Sequence, residues 1–143
     1  MRRSAEILLV EDDPVDVRLM QRAMQGGDIQ KHLHVARDGV EGLRFLRREG
    51  EHANAPKPDL ILLDLNMPRM GGLEFLQELQ AEPELTRAPV IVLTTSASDE
   101  DIISAYSLNA NCYITKPADF TAFAEIIRTI ETFWLSMARL PGV

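Results

Sequence analysis

The chain has 143 residues, a net charge of −7, one cysteine, and 45% hydrophobic against 26% charged residues. That length suits one domain able to bury roughly two-thirds of its unfolded surface, and the composition excludes a disordered chain. A lone cysteine excludes an internal disulfide framework, no apolar run reaches the length of a membrane span, and the acidic balance argues against nucleic acid, whose binding rests on basic patches.

The opening Met1-Arg2-Arg3-Ser4 lacks the apolar region of a signal peptide, so a cytoplasmic location is expected. Residues 6–10 read as a buried strand that ends at Glu11, Asp12 and Asp13. Pro14 follows where a helix begins, the position proline tolerates best. Val17, Met20, Ala23 and Met24 mark that helix's apolar face, and Gly26-Gly27 ends it. A shorter strand covers 32–36. Asp38 caps a helix whose apolar face carries Val40, Leu43, Phe45 and Leu46. Residues 49–58 form a polar loop, longer than most connections in compact domains.

The stretch Leu-Ile-Leu-Leu-Asp-Leu-Asn-Met-Pro, 60–68, is the centre of the pattern. Its unbroken apolar run predicts a strand buried on both faces, and the run ends at a single carboxylate, Asp64. Gly71-Gly72 leads into a helix marked by Leu73, Phe75, Leu76 and Leu79. After a connection with two prolines, 90–93 is a second continuous apolar strand, ending at Thr94. Asp99 is expected to cap a helix through Leu108. Residues 112–115 form a short strand ending at Lys116-Pro117. Asp119 caps a last helix that runs to about Met137. Five strands alternating with five helices predict an α/β fold, a doubly wound parallel sheet with right-handed crossovers.

In such a sheet the carboxyl ends of the strands lie along one edge, where ligands bind. Here those ends supply Glu11 and Asp12, Asp64, Thr94 and Lys116. Each residue alone has a plainer reading: a helix cap, a strand stop, a solvated lysine. Four unusual strand ends at once favour a site. Clustered carboxylates repel unless a cation lies among them. Magnesium fits, being hard, oxygen-seeking and able to keep open positions. Thr94 and Lys116 then suit a phosphoryl group, and Asp64 is a carboxylate nucleophile for it.

The segments 7–14, Asp64-Leu65-Asn66-Met67-Pro68 with Gly71-Gly72, 93–96 and Tyr113-Ile114-Thr115-Lys116-Pro117 resemble the receiver domain of two-component response regulators. The resemblance covers essentially the whole chain. It implies one flavodoxin-like domain over 1–143, with a core at about 5–132, a helical extension to about 140, and strand order 2-1-3-4-5. It implies that Asp64 accepts a phosphoryl group from a sensor histidine kinase. Asp12 and Asp64 would hold Mg2+ with Glu11 and the Asn66 backbone carbonyl. Thr94 and Tyr113 would be the switch pair that repacks the face of the fourth helix, fifth strand and fifth helix. Lys116 would precede a cis peptide to Pro117. The long loop before the central strand, Thr94-Thr95-Ser96, 111–116 and Phe133-Trp134 resemble a subgroup of small stand-alone regulators partnered with bacterial phytochromes.

The last helix shows two apolar stripes. Phe123, Ile127, Ile130, Trp134 and Met137 form the first, and Ile126, Phe133 and Leu140 the second. One stripe suffices to pack on the sheet, so the second is expected to face another copy. A homodimer through Tyr106, Tyr113, Ile126, Phe133 and Trp134 is the reading. Two rival readings remain: a degenerate receiver that only binds partners, and a Mg-dependent phosphohydrolase. The latter places a second carboxylate two residues after its nucleophile, and Asn66 stands there without a proton to donate. The expected protein is therefore a signalling phosphoacceptor rather than a conventional enzyme.

Overall fold

The computed structural model describes residues 4–27 and 29–141. The amino-terminal Met1-Arg2-Arg3, on which the signal-peptide reading partly falls, lies outside them. Five parallel strands form one sheet in the order β2-β1-β3-β4-β5: β1 (Ala5–Val10), β2 (Lys31–Ala36), β3 (Leu60–Leu63), β4 (Val90–Thr94) and β5 (Cys112–Thr115). The helices between and after them are α1 (Pro14–Ala23), α2 (Gly39–Arg47), α3 (Gly72–Ala81), α4 (Asp99–Ser107) and α5 (Phe120–Ile130).

Alternation along the strands decides which helix packs where. Leu8, Val10, Ile61, Leu63 and Val92 point to one face and meet Leu43 and Phe45 of α2, Phe75 and Leu76 of α3 and Ala105 of α4. Ile7, Leu9, Leu60, Leu62, Ile91 and Leu93 point to the other and meet Met20 and Ala23 of α1 and Phe123, Ile127 and Ile130 of α5. Every residue of β3 is fully buried, as its unbroken apolar run requires.

Side-chain caps start four of the five α-helices, α3 beginning instead at Gly71. Asp13, Asp38 and Asp119 accept backbone N–H groups from Val15, Glu41 and Ala122 at 2.9, 2.9 and 3.0 Å. The expected Asp99 cap is corrected: Ser98 caps α4 through Asp101 N–H at 3.1 Å, and Asp99 is the first helical residue. A serine cap leaves three acids for the first turn, where the helix dipole favours them. The α4 helix then ends at Ser107 rather than Leu108.

The last helix also differs from expectation. It is α-helical only to Ile130, and Glu131–Met137 continues as a π-helix. The wider turn carries Met137 off the buried stripe, to 70% exposure.

Candidate functional site

The strand ladders deliver the site residues. Asp64 N–H donates to Val10 C=O at 3.0 Å, Glu11 N–H to Ala36 C=O at 2.9 Å, and Lys116 N–H to Thr94 C=O at 2.7 Å. Each residue just past a strand end is thereby held in register with its neighbour strand. Gly72 completes the floor. A Cβ there would lie 2.5 Å from the Asp64 carbonyl oxygen and 2.7 Å from Leu65 Cα, so only glycine lets α3 start this close to the loop.

Carboxylate oxygens of Glu11, Asp12 and Asp64 all lie within 4.8 Å of one another, with Glu11 and Asp64 buried. One Asp64 oxygen, Oδ1, accepts the Leu65 N–H at 2.9 Å. Lys116 Nζ donates to Glu11 Oε1 at 2.5 Å and to Asp16 Oδ2 at 2.9 Å. Burial pushes the Glu11 carboxyl up to about 7, with Lys116 pulling it back and Asp64 adding repulsion. Burial would depress the Lys116 ammonium, but its hydrogen bonds to Glu11 and Asp16 outweigh that and raise it. Lys116 therefore stays charged, beside a carboxyl that burial makes easier to protonate.

Thr94 is fully buried, and its Oγ1 makes no hydrogen bond. A buried hydroxyl is normally satisfied. This one sits at the carboxyl end of β4, beside the strand that ends at Asp64. Tyr113 lies one strand further. Its hydroxyl donates to the Ser96 carbonyl at 3.0 Å, and its own N–H donates to the Tyr106 hydroxyl at 3.1 Å. Ser96 in turn donates to Asp101 Oδ2 at 2.6 Å. The loop after Thr94 is thus tied both to β5 and to α4. Asn66 is exposed in the loop after β3, two residues beyond Asp64.

The cis peptide expected before Pro117 is corrected, since no cis bond occurs among the described residues. The trans form is the lower in energy for X–Pro bonds, and it already lets Lys116 Nζ reach Glu11.

The five residues expected at an interface fall into two groups. Ile126, Phe133 and Trp134 line an apolar groove of 810 Å³ between β5 and α5, together with Cys112, Ile114 and Ile130. Phe133 and Trp134 stack edge to face with ring centroids 5.1 Å apart. Tyr106 and Tyr113 are not among the groove's lining residues and meet each other instead. A second group of potential ligands, Glu41, Glu51 and His52, lies elsewhere; Glu51 is 75% exposed and sits 3.7 Å from its neighbour His52.

Sequence reasoning missed Asp16. Its spacing marks only a first-turn acid of α1, and nothing in the local pattern ties it to a lysine 100 positions away. Among the described residues no helix is long and apolar enough to cross a bilayer.

Five parallel strands in this order, with three carboxylates, a threonine and a lysine at their carboxyl ends, define a receiver. Residues 7–128 match the response regulator receiver domain, and the chain belongs to that family. It is similar to the response regulator Rcp1 of Synechocystis, with 44% identity over 95% of this chain and 92% of that protein. Among solved structures it resembles the phosphorylated cyanobacterial phytochrome response regulator RcpA, at 47% identity and a TM-score of 0.93 over 98% of this chain and all of the other. It also resembles the Mn2+-bound form of Rcp1, at 43% identity and a TM-score of 0.90 over 96% and 99% of the two chains. The protein is a signalling protein of the response-regulator type, and its carboxylate cluster suits a divalent cation.

Proposed function

We propose that Asp64 is the phosphoacceptor of this regulator, that the donor is a phosphohistidine on a sensor kinase, and that the kinase is of the phytochrome type. The observation that carries the reading is the clustering of Asp64 with Glu11 and Asp12, with a lysine held on Glu11 and an unpartnered buried hydroxyl at the end of the adjacent strand β4. The likeness to RcpA and Rcp1 supports the kinase class.

The donor set fits Mg2+, with Glu11, Asp12 and Asp64 as carboxylate ligands and the Asn66 backbone carbonyl as a fourth. When bound, the ion would neutralise charge on the phosphoryl oxygens. Leu65 N–H fixes Asp64 Oδ1, leaving Oδ2 to attack phosphorus. The Asp64 O–P bond forms as the histidine N–P bond breaks, and the imidazole leaves with the bonding pair. Lys116 offers its ammonium, and Thr94 its unpaired hydroxyl, to the phosphoryl oxygens. The Thr94 hydroxyl then gains the partner it lacks. That draws the loop through Ser96 and changes the seat of the Tyr113 hydroxyl. The output is the face of α4, β5 and α5, where the Phe133–Trp134 groove receives a second copy of the chain.

The experiment is acetyl phosphate with Mg2+ on wild type and Asp64→Asn, read by intact mass. A phosphoryl adduct that needs Mg2+ and is lost in Asp64→Asn is expected. Folded wild type that takes no adduct from acetyl phosphate or a kinase would leave a receiver-shaped binding module as the better account.

A further inference from the structure

We infer that Asp16 is a positioning residue for Lys116: it keeps the ammonium anchored in the pocket when Glu11 is drawn to the divalent cation. This rests on the phosphoacceptor reading above. Glu11 is pulled in three directions. Its Oε1 accepts from Lys116 at 2.5 Å, its Oε2 accepts the Asp13 N–H at 3.2 Å, and its carboxylate belongs to the cluster with Asp12 and Asp64. Glu11 cannot serve a cation fully while neutralising Lys116. Lys116 has only 8% of its side chain exposed, so losing its partner would strand a buried charge.

Asp16 is the carboxylate placed to prevent that. It sits 2.9 Å from Lys116 Nζ and is not part of the three-carboxylate cluster, so a cation there leaves it free for lysine. It projects from the first turn of α1, a rigid position set by the Asp13 cap and Pro14. The helix dipole favours a negative charge there. With 30% of its side chain exposed, Asp16 is also hydrated more easily than Glu11, which has 3%. Glu11 is then the carboxylate that changes partners and Asp16 the one that stays. Lys116 keeps one fixed tether and can turn its remaining N–H groups toward the phosphoryl group on Asp64.

The test is a double-mutant cycle on the full chain: wild type, Asp16→Asn, Lys116→Met and the pair, with Asp16→Ser as a second neutral replacement. Mg2+ binding is measured by calorimetry, and the rate of phosphorylation by acetyl phosphate by intact mass. Urea midpoints confirm that each variant folds. Asp16→Asn should weaken Mg2+ binding and slow phosphorylation by about tenfold, the scale of one charge-assisted hydrogen bond. In the Lys116→Met background the same change should have less than a third of that effect. An equal effect in both backgrounds would reduce Asp16 to a charge acting through space and overturn the inference, as would no effect in either. If wild type takes no phosphoryl group, the phosphoacceptor reading fails. The Mg2+ cycle needs no phosphoryl donor, and it decides the role of Asp16 separately.

Discussion

Thr94 and Glu11 are two site residues whose burial works against the folded chain. The Thr94 hydroxyl is desolvated without a hydrogen bond, so Thr94→Val removes an unsatisfied group rather than an interaction. Its urea midpoint should match wild type or exceed it by about 1 kcal/mol in stability. Its phosphorylated form should lose the shift in oligomer mass expected of phosphorylated wild type. Glu11 gives a pH signature. Burial raises its carboxyl from 4.5 to about 7, so the folded state holds a proton that the unfolded state has released between those values. The stability it contributes is fully present below its ordinary value and is lost as pH rises through about 7. In metal-free buffer, the difference in stability between wild type and Glu11→Gln should therefore turn against wild type from about pH 5 to about pH 8. A flat difference would show that Lys116 holds Glu11 ionised throughout.

Among the elements, the carboxyl-terminal helix is the one whose pattern and structure diverge most. Its first three turns bury Phe123, Ile127 and Ile130 on the sheet. At Glu131 the hydrogen bonding widens to π-helical, and there a buried ion pair forms: Glu131 Oε2 lies 3.0 Å from Lys31 Nζ at the start of β2, with 7% and 9% of the two side chains exposed. That contact is Coulombic, since Glu131 Oε2 makes no hydrogen bond. It pins the helix extension across the α1 side of the sheet to the far edge strand. Glu131→Ala should destabilise the fold by about 3 kcal/mol by leaving Lys31 a buried charge, whereas the pair Lys31→Met with Glu131→Leu should be nearly neutral. Urea denaturation of the three proteins separates the two outcomes.

For the whole molecule, the open question is assembly. A chain of net charge −7 repels its copies, so the dimer proposed above would have to rest on apolar surface. The groove between β5 and α5 and the 48%-exposed ring of Phe133 supply it. Light scattering at micromolar concentration should give twice the 16.0 kDa of one chain. Phe133→Asp should return a single-chain mass and still unfold in one cooperative urea transition, since the ring is half in solvent. A wild type that is monomeric both with and without phosphorylation would remove the dimer from the account.

The sequence by itself determined the alternation of strands and helices, the burial of 60–63 and the identity of the groups at the strand ends. Those are local properties: apolar runs, caps and breakers act over a few residues. Tertiary structure alone decided which groups meet. The Lys116 partnership with Asp16 joins residues 100 positions apart. The separation of Tyr106 and Tyr113 from the Phe133 groove depends on which side of β5 each element packs. The π-helical turn at Glu131 likewise follows from surroundings. An ion pair and a helix's winding are each settled by what the rest of the fold brings within a few ångströms, and sequence spacing does not encode that distance.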